Sequence, residues 1–294
     1  MARIVLKIDV DTLRGTREGV PNLARIFDRF KARATFLFSL GPDHTGWAMR
    51  RVLRPGFLKK VSRTSVVEHY GVKQLMYGVL LPGPDIGVKA AAEMRAIHEA
   101  GFECGIHTWD HVYWQDNVRT KDRVWTTAQM QKSHDRFVEI FGAPPVTHGA
   151  AGWQMNGHAF EQIDAWGMHY ASDGRGHSPY LPVVGGRTLS HVQMPTTLPT
   201  LDEVLGVDES TVAAWMLKHT ENNPHDQVFT LHAELEGQKL APIFEQLLEG
   251  WRAQGHTFAT MGDYYATLDR SALPSYPFTW GEIAGRSGEL ILQP

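Results

Sequence analysis

Apolar residues along the chain follow two alternating rhythms. Short β-rich runs at residues 3–10, 34–39 and 102–107 predict strands. Residues 145–149, 168–173, 191–194 and 228–232 predict four more, and 257–259 a last short one. Between these runs the apolar positions recur at helical spacing. One helix opens near Gly19-Val20-Pro21, where proline suits a first turn, and Leu23, Ile26, Phe27 and Phe30 make its stripe. Residues 88–100 form an Ala-rich helix stopped by Gly101. Further helices are predicted near 126–141, 156–166, 210–222 and 242–254, the last with Phe244, Leu247, Leu248 and Trp251 on one face.

Strand and helix alternating in this way imply parallel pairing with right-handed crossovers. Such a chain closes as an open doubly wound sheet or as a β/α barrel. The length of 294 residues suits a barrel with one large insertion, and no Gly-rich dinucleotide fingerprint follows the first strand. The expected fold is therefore α/β: a distorted (β/α) barrel of seven or eight strands, forming one domain over residues 1–267. Residues 40–87 interrupt it after the second strand, far exceeding the usual two to six or so of a βα loop. Residues 268–294, rich in Gly, Ser and Pro, read either as a peripheral wrap or as an end without fixed structure.

Composition narrows the function. With 29 basic and 32 acidic residues the net charge is −3, which argues against a nucleic-acid binder. A single cysteine, Cys104, excludes a disulfide framework and a Cys-rich zinc site. No apolar run reaches the roughly 18 residues of a membrane span, and the start is too soon charged for a signal peptide, so a cytoplasmic chain is expected.

Ionisable residues gather at the predicted strand ends: Asp9 and Asp11, His107, Asp173 and His232. On a β/α barrel that rim is where catalytic side chains collect. His107 and His111 are four apart and share a face if the chain turns helical there. With 15 histidines about one such pair arises by chance, so the spacing alone is weak. Asp9 and Asp11 lie on one side of a strand, and a cation shared with the imidazoles would relieve their repulsion. Two His and one carboxylate leave positions open for water, as hydrolysis needs. Taken singly, the acids read rather as loop caps and His232 as a core histidine.

These motifs together resemble the metal-dependent polysaccharide deacetylase superfamily, from about Ile4 to Gly262. The resemblance implies that Asp9 is the general base, that Asp11, His107 and His111 bind one divalent cation (Zn, Co or Mn), and that His232 is the catalytic acid, tuned by Asp173. Where relatives carry Arg-x-Pro, this chain reads Gly149-Ala150-Ala151-Gly152-Trp153, so the arginine that braces the base is absent. Arg175 is the expected replacement. Gly152 and Trp153 are expected to contact substrate, their backbone N–H groups stabilising the oxyanion.

Phrases such as Arg14-Gly15-Thr16-Arg17-Glu18-Gly19 and His232-Ala233-Glu234-Leu235-Glu236-Gly237 resemble a narrower branch. It removes a formyl group from an amino sugar carried on a polyprenyl phosphate, for lipid A modification and resistance to cationic peptides such as polymyxin. Arg14 and Arg17 would then meet the substrate's phosphate. The insertion carries Arg50, Arg51, Arg54, Lys59, Lys60 and Arg63 among Trp47, Phe57 and other apolar residues, with no acid between Asp43 and Glu68. Trp47, Arg50, Arg51, Arg54, Phe57, Lys59 and Lys60 are expected to contact an anionic membrane surface peripherally, on the inner face of the bacterial inner membrane. The alternative is a solvated helical face packed on the barrel. Deacetylation of another N-acyl sugar and a non-catalytic sugar-lipid binder are the rival functions.

Overall fold

The computed structural model describes residues 2–48, 72–204, 209–286 and 288–294. In chain order the described strands are β1 (Arg3–Val10), β2 (Thr35–Ser39), β3 (Glu103–Thr108), β4 (Thr147–His148), β5 (Tyr170–Ala171), β6 (Leu181–Val184), β7 (Arg187–Thr188), β8 (Val192–Gln193), β9 (Gln227–His232), β10 (Thr257–Ala259), β11 (Ser275–Pro277), β12 (Thr279–Gly281) and β13 (Leu290–Leu292). Eight of them form one sheet in the order β10-β1-β2-β3-β4-β5-β8 with β9 on β1, and every pairing in it is parallel. β2 and β10 share one edge of β1, and β9 takes the other. Beyond β8 the chain bends back to β9, where the amides of Thr197 and Leu198 both donate to the Val228 carbonyl. The sheet is thus curled into the distorted barrel the alternation predicts.

The helices are α1 (Val20–Phe30), α2 (Ala91–Glu99), α3 (His111–Asn117), α4 (Arg123–Phe141), α5 (Gly157–Ala165), α6 (Leu201–Val204), α7 (Glu209–Lys218) and α8 (Ala241–Ala253), with shorter turns between. The helix expected over 88–100 instead begins as a short turn, Ile86–Lys89, capped by the Asp85 side chain on the Val88 amide. Ala90 leaves helical geometry at φ −129° before α2 starts.

The pleat of β1 sorts its residues between two layers. Ile4, Leu6, Ile8 and Val10 pack with Leu23, Ile26 and Phe27 of α1 and with Phe244 and Leu247 of α8. Burying each such side chain stabilises the fold by about 1.5–3 kcal/mol. Val5 points the other way, into a barrel floor with Val192, Met194, Val228 and Met261. Lys7 and Asp9 continue that inner row towards the mouth, both buried.

The described tail folds back over the rim. β11 pairs with β6, β12 with β13, and Leu290 and Ile291 are buried. The Arg175 amide donates to the Ile291 carbonyl at 2.9 Å, and Gln293 N donates to the Arg175 carbonyl at 2.8 Å.

Candidate metal and hydrolytic site

Three donors converge at the barrel mouth. Asp11 follows β1, His107 lies one residue before the end of β3, and His111 opens α3. Their ligand atoms all lie within 4.8 Å of one another. His107 Nε2 is 3.2 Å from Asp11 Oδ1, and His111 Nε2 is 3.5 Å from Asp11 Oδ2. The two imidazoles do not sit on one helix, as their spacing alone suggests. His107 is on the strand, and Asp110 caps α3 through the Tyr113 amide at 3.0 Å, starting the helix at His111.

The residues fit a divalent cation. His107 Nδ1 lies 2.7 Å from the Gly149 carbonyl, which can only accept, so Nδ1 carries the proton and a neutral ring turns its Nε2 lone pair to the site. His107 Nε2 and Asp11 Oδ1 are buried without a hydrogen-bond partner. Burial acts to raise the Asp11 carboxyl, but His111 and His107 overcome it and hold the group well below the usual carboxylate range. An ionised carboxylate beside two aimed imidazoles suits Zn, Co or Mn, and N/O donors do not choose among them.

The β1–β9 register places Asp9 directly opposite His232. The proposed base and acid, 223 residues apart, are therefore neighbours on adjacent strands. Asp9 Oδ2 pairs with Lys7 Nζ at 3.1 Å, and both side chains are almost wholly buried. Its other oxygen, Oδ1, has no hydrogen-bond partner. Lys7 stands two positions before Asp9 on the same face of β1, the one signal in the sequence that could have revealed it.

Arg175 does not replace the missing brace. Its guanidinium binds Glu203 and the Leu198 carbonyl and lies 5.0 Å over the Trp153 ring. Burial inside that group of ion pairs commits it there, and Lys7 occupies the bracing position instead.

Asp173 is not the partner of His232 either. It accepts from His148 Nδ1 at 2.6 Å and from Gln193 Nε2 at 2.7 Å, tying β4 to the strands beyond it. The carboxylate near His232 is Asp202, whose Oδ1 is 3.9 Å from Nδ1. Burial acts to lower the His232 pKa, yet Asp202, Asp11, Glu236 and Asp9 together raise it. Asp202 lies in a short turn of weak periodicity, which hid it at the sequence level.

Trp153 cannot donate its amide to an oxyanion, because that N–H already donates to the Ala150 carbonyl at 3.0 Å. Gly152 and Trp153 both hold left-handed φ, +60° and +54°. For tryptophan this costs about 1–3 kcal/mol and persists only where the surroundings enforce it. Trp153 is buried, and its indole donates to Thr196 Oγ1 at 3.1 Å.

Glu234 was also missed. Its Oε1 accepts from Asp11 N, Thr12 N and Thr12 Oγ1 at 3.0, 2.8 and 2.7 Å, fixing the turn that presents Asp11. Burial, with the Asp11 charge adding to it, pushes the Glu234 carboxyl up to about 8. Glu236 accepts from the His232 amide at 2.7 Å, and burial lifts it to about 7.

Arg17 is exposed on the π-helical turn Gly15–Gly19 and Arg14, half-buried, immediately precedes it; Arg14 pairs with Glu18, and Arg17 binds the Lys89 carbonyl and approaches Glu93. Trp47 is half-buried. Its indole nitrogen donates to the Gly78 carbonyl at 2.6 Å and its ring stacks on His44 at 3.9 Å, so it belongs to the insertion's own packing. Arg50, Arg51, Arg54, Phe57, Lys59 and Lys60 lie outside the described residues.

A curled parallel barrel with an Asp-His-His donor set beside a buried acid and a half-buried imidazole defines a class of metal-dependent hydrolase. The polysaccharide deacetylase family model matches residues 3–171, and the chain belongs to that family. It is 40% identical over 252 residues to the probable 4-deoxy-4-formamido-L-arabinose-phosphoundecaprenol deformylase ArnD of Shewanella sediminis (strain HAW-EB3), covering 84% of this chain and 81% of the relative. The protein of the same name from Wigglesworthia glossinidia brevipalpis is 29% identical over 283 residues, 95% of this chain and 98% of that one. Among solved structures, a Mycobacterium smegmatis protein named as a polysaccharide deacetylase shares the fold at TM-score 0.64 and 17% identity, covering 96% of this chain and 95% of its own.

Proposed function

We propose that this protein hydrolyses the formamide of 4-deoxy-4-formamido-L-arabinose carried on undecaprenyl phosphate, releasing formate and the amino sugar-lipid used to modify lipid A. The relatives' shared name supports this reading over most of the chain. The observation that carries the chemistry is the convergence of Asp11, His107 and His111 beside Asp9 and His232.

Asp11, His107 and His111 would hold one divalent cation, Zn, Co or Mn, which when bound acidifies water and polarises the formyl carbonyl. Asp9, with Oδ1 free of hydrogen bonds and Oδ2 held by Lys7, takes a proton from the attacking water. His232 gives its proton to the sugar nitrogen as the C–N bond breaks, so formic acid and the free amine balance amide plus water. The neighbouring carboxylates raise the His232 pKa, which favours the protonated imidazole that step needs. Asp9 and His232 favour an enzyme over a binding protein, which would need neither.

The substrate's lipid tail supports peripheral contact with the cytoplasmic leaflet. The cations of the insertion would meet anionic headgroups, and on its described rim Val79, Leu80 and Leu81 are exposed. Among the described residues no helix is long and apolar enough to cross a membrane.

Mass spectrometry of the formamido-arabinose lipid incubated with cation-loaded protein tests this reading. The expected result is stoichiometric formate and free amine. Inertness towards it, with turnover of the matched acetamido lipid, would instead make the protein a deacetylase.

A further inference from the structure

The C-terminal tail lies beyond the part of the chain that the family model matches, yet it enters the site. Backbone bonds on both sides of Arg175 fasten β13, and Gly285 presses on α6. Gly285 has φ +86°, and a Cβ there would sit 2.5 Å from the Glu203 carbonyl oxygen. Between these anchors Arg286 turns inward.

Arg286 reaches three groups at once. Its Nη2 is 3.0 Å from Asp202 Oδ2, its Nε is 2.7 Å from Glu203 Oε1, and its guanidinium lies 4.3 Å over the Trp153 ring. Asp202 in turn accepts from Thr200 Oγ1 at 2.6 Å and faces His232 Nδ1, a buried nitrogen with no hydrogen-bond partner. Two neighbouring carboxylates beside Arg175 alone would repel; a second guanidinium bridging them fixes where Asp202 stands. Around His232 the charged groups are Asp202, Asp11, Glu236 and Asp9. Of these, Asp202 is the one held by the tail.

We propose that the C-terminal tail is a working part of the catalytic centre, with Arg286 the positioning residue that holds Asp202 against His232 and so keeps the imidazole aimed at the leaving nitrogen. Burial acts to raise the Asp202 carboxyl, and Arg286 leads the charges that hold it ionised, in keeping with this role. Arg286 touches no reacting atom and acts through Asp202 alone.

The inference rests on His232 being the proton donor, so the test separates the two ideas. The full-length, cation-loaded protein is assayed as wild type, R286Q, R286K, D202N, R286Q/D202N and H232A, with bound cation and Tm measured on each. The expected result is a kcat about 10-fold or more lower in R286Q at nearly unchanged KM and cation content, a smaller loss in R286K, and a double variant no worse than D202N. If R286Q does not fold, R286K carries the test, since a lysine keeps the charge but cannot bridge both carboxylates. Wild-type kcat in R286Q or R286K, or losses that multiply in the double variant, would overturn the inference while leaving the hydrolase reading intact. Full turnover in H232A would overturn His232 as the proton donor, and this inference with it, and would still leave the protein a hydrolase.

Discussion

Lys7 shows how a single buried charge sets the task of its neighbour. Asp9 is nearly inaccessible, and Lys7 Nζ takes one of its oxygens and leaves the other for water. Breaking such a pair costs about 3–5 kcal/mol because the remaining charge stays buried. Lys7→Met is therefore expected to lower kcat by about 10²-fold or more, in the range of lost acid–base catalysis, while cation content is preserved. Lys7→Arg is expected to keep more activity than Lys7→Met; equal loss in both would contradict the pairing. Glu236 gives a pH prediction. Its folded pKa is about 7 against an ordinary 4.5, so its contribution to stability is complete below the ordinary value and is lost as pH rises through about 7. Glu236→Gln, neutral at every pH, is expected to flatten the stability decline between about pH 5 and 8 in urea titrations. Parallel curves for the two proteins would contradict it. At this scale Asp9, Asp11, His107, His111 and His232 were legible because acids and imidazoles at strand ends have few other reasons to cluster. Asp202 and Arg286 were not, because their partners are set by barrel closure and the tail's path rather than by spacing.

Among the elements, β1 and the turn after it carry the most constraint. The Asp11–Thr12 backbone rests on Glu234, and the π-helical turn Gly15–Gly19 brings the chain against the segment following β9. A Cβ at Gly15 would sit 1.9 Å from Glu234 Oε1. Gly15→Ala is expected to cost about 1–3 kcal/mol by overpacking and to weaken cation binding, since Glu234 holds the Asp11 amide. Thermal unfolding and metal titration check this, and an unchanged Tm would contradict it. β1, β2, β9 and β10 were read from the sequence almost to the residue, because each is a short run rich in β-branched and aromatic residues. β4, β5 and β8 are only two residues each, shorter than their apolar runs, because the chain leaves the sheet early to bring Gly149, Asp173 and Thr196 to the rim. The tail's strands went unseen for another reason: β11 to β13 are three-residue pieces too short to show a pattern, and β11 is held by a partner far away in sequence.

For the molecule as a whole, charge distribution sets its expected location. A net charge of −3 would not draw it to an anionic surface, so attraction must come from the cations concentrated in the insertion. Each is worth about 1 kcal/mol near such a surface, screened within about 8 Å at physiological salt. Liposome flotation is expected to recover the protein with anionic vesicles and lose it at high salt. No flotation with either anionic or neutral lipid would remove the membrane reading.

The central task proposed for the barrel is to hold one cation with Asp11, His107 and His111. Anomalous diffraction from crystals grown with cobalt tests that most directly. The account predicts one strong peak within about 2–2.3 Å of Asp11 Oδ, His107 Nε2 and His111 Nε2. A cation bound elsewhere, with these three side chains left uncoordinated, would contradict it.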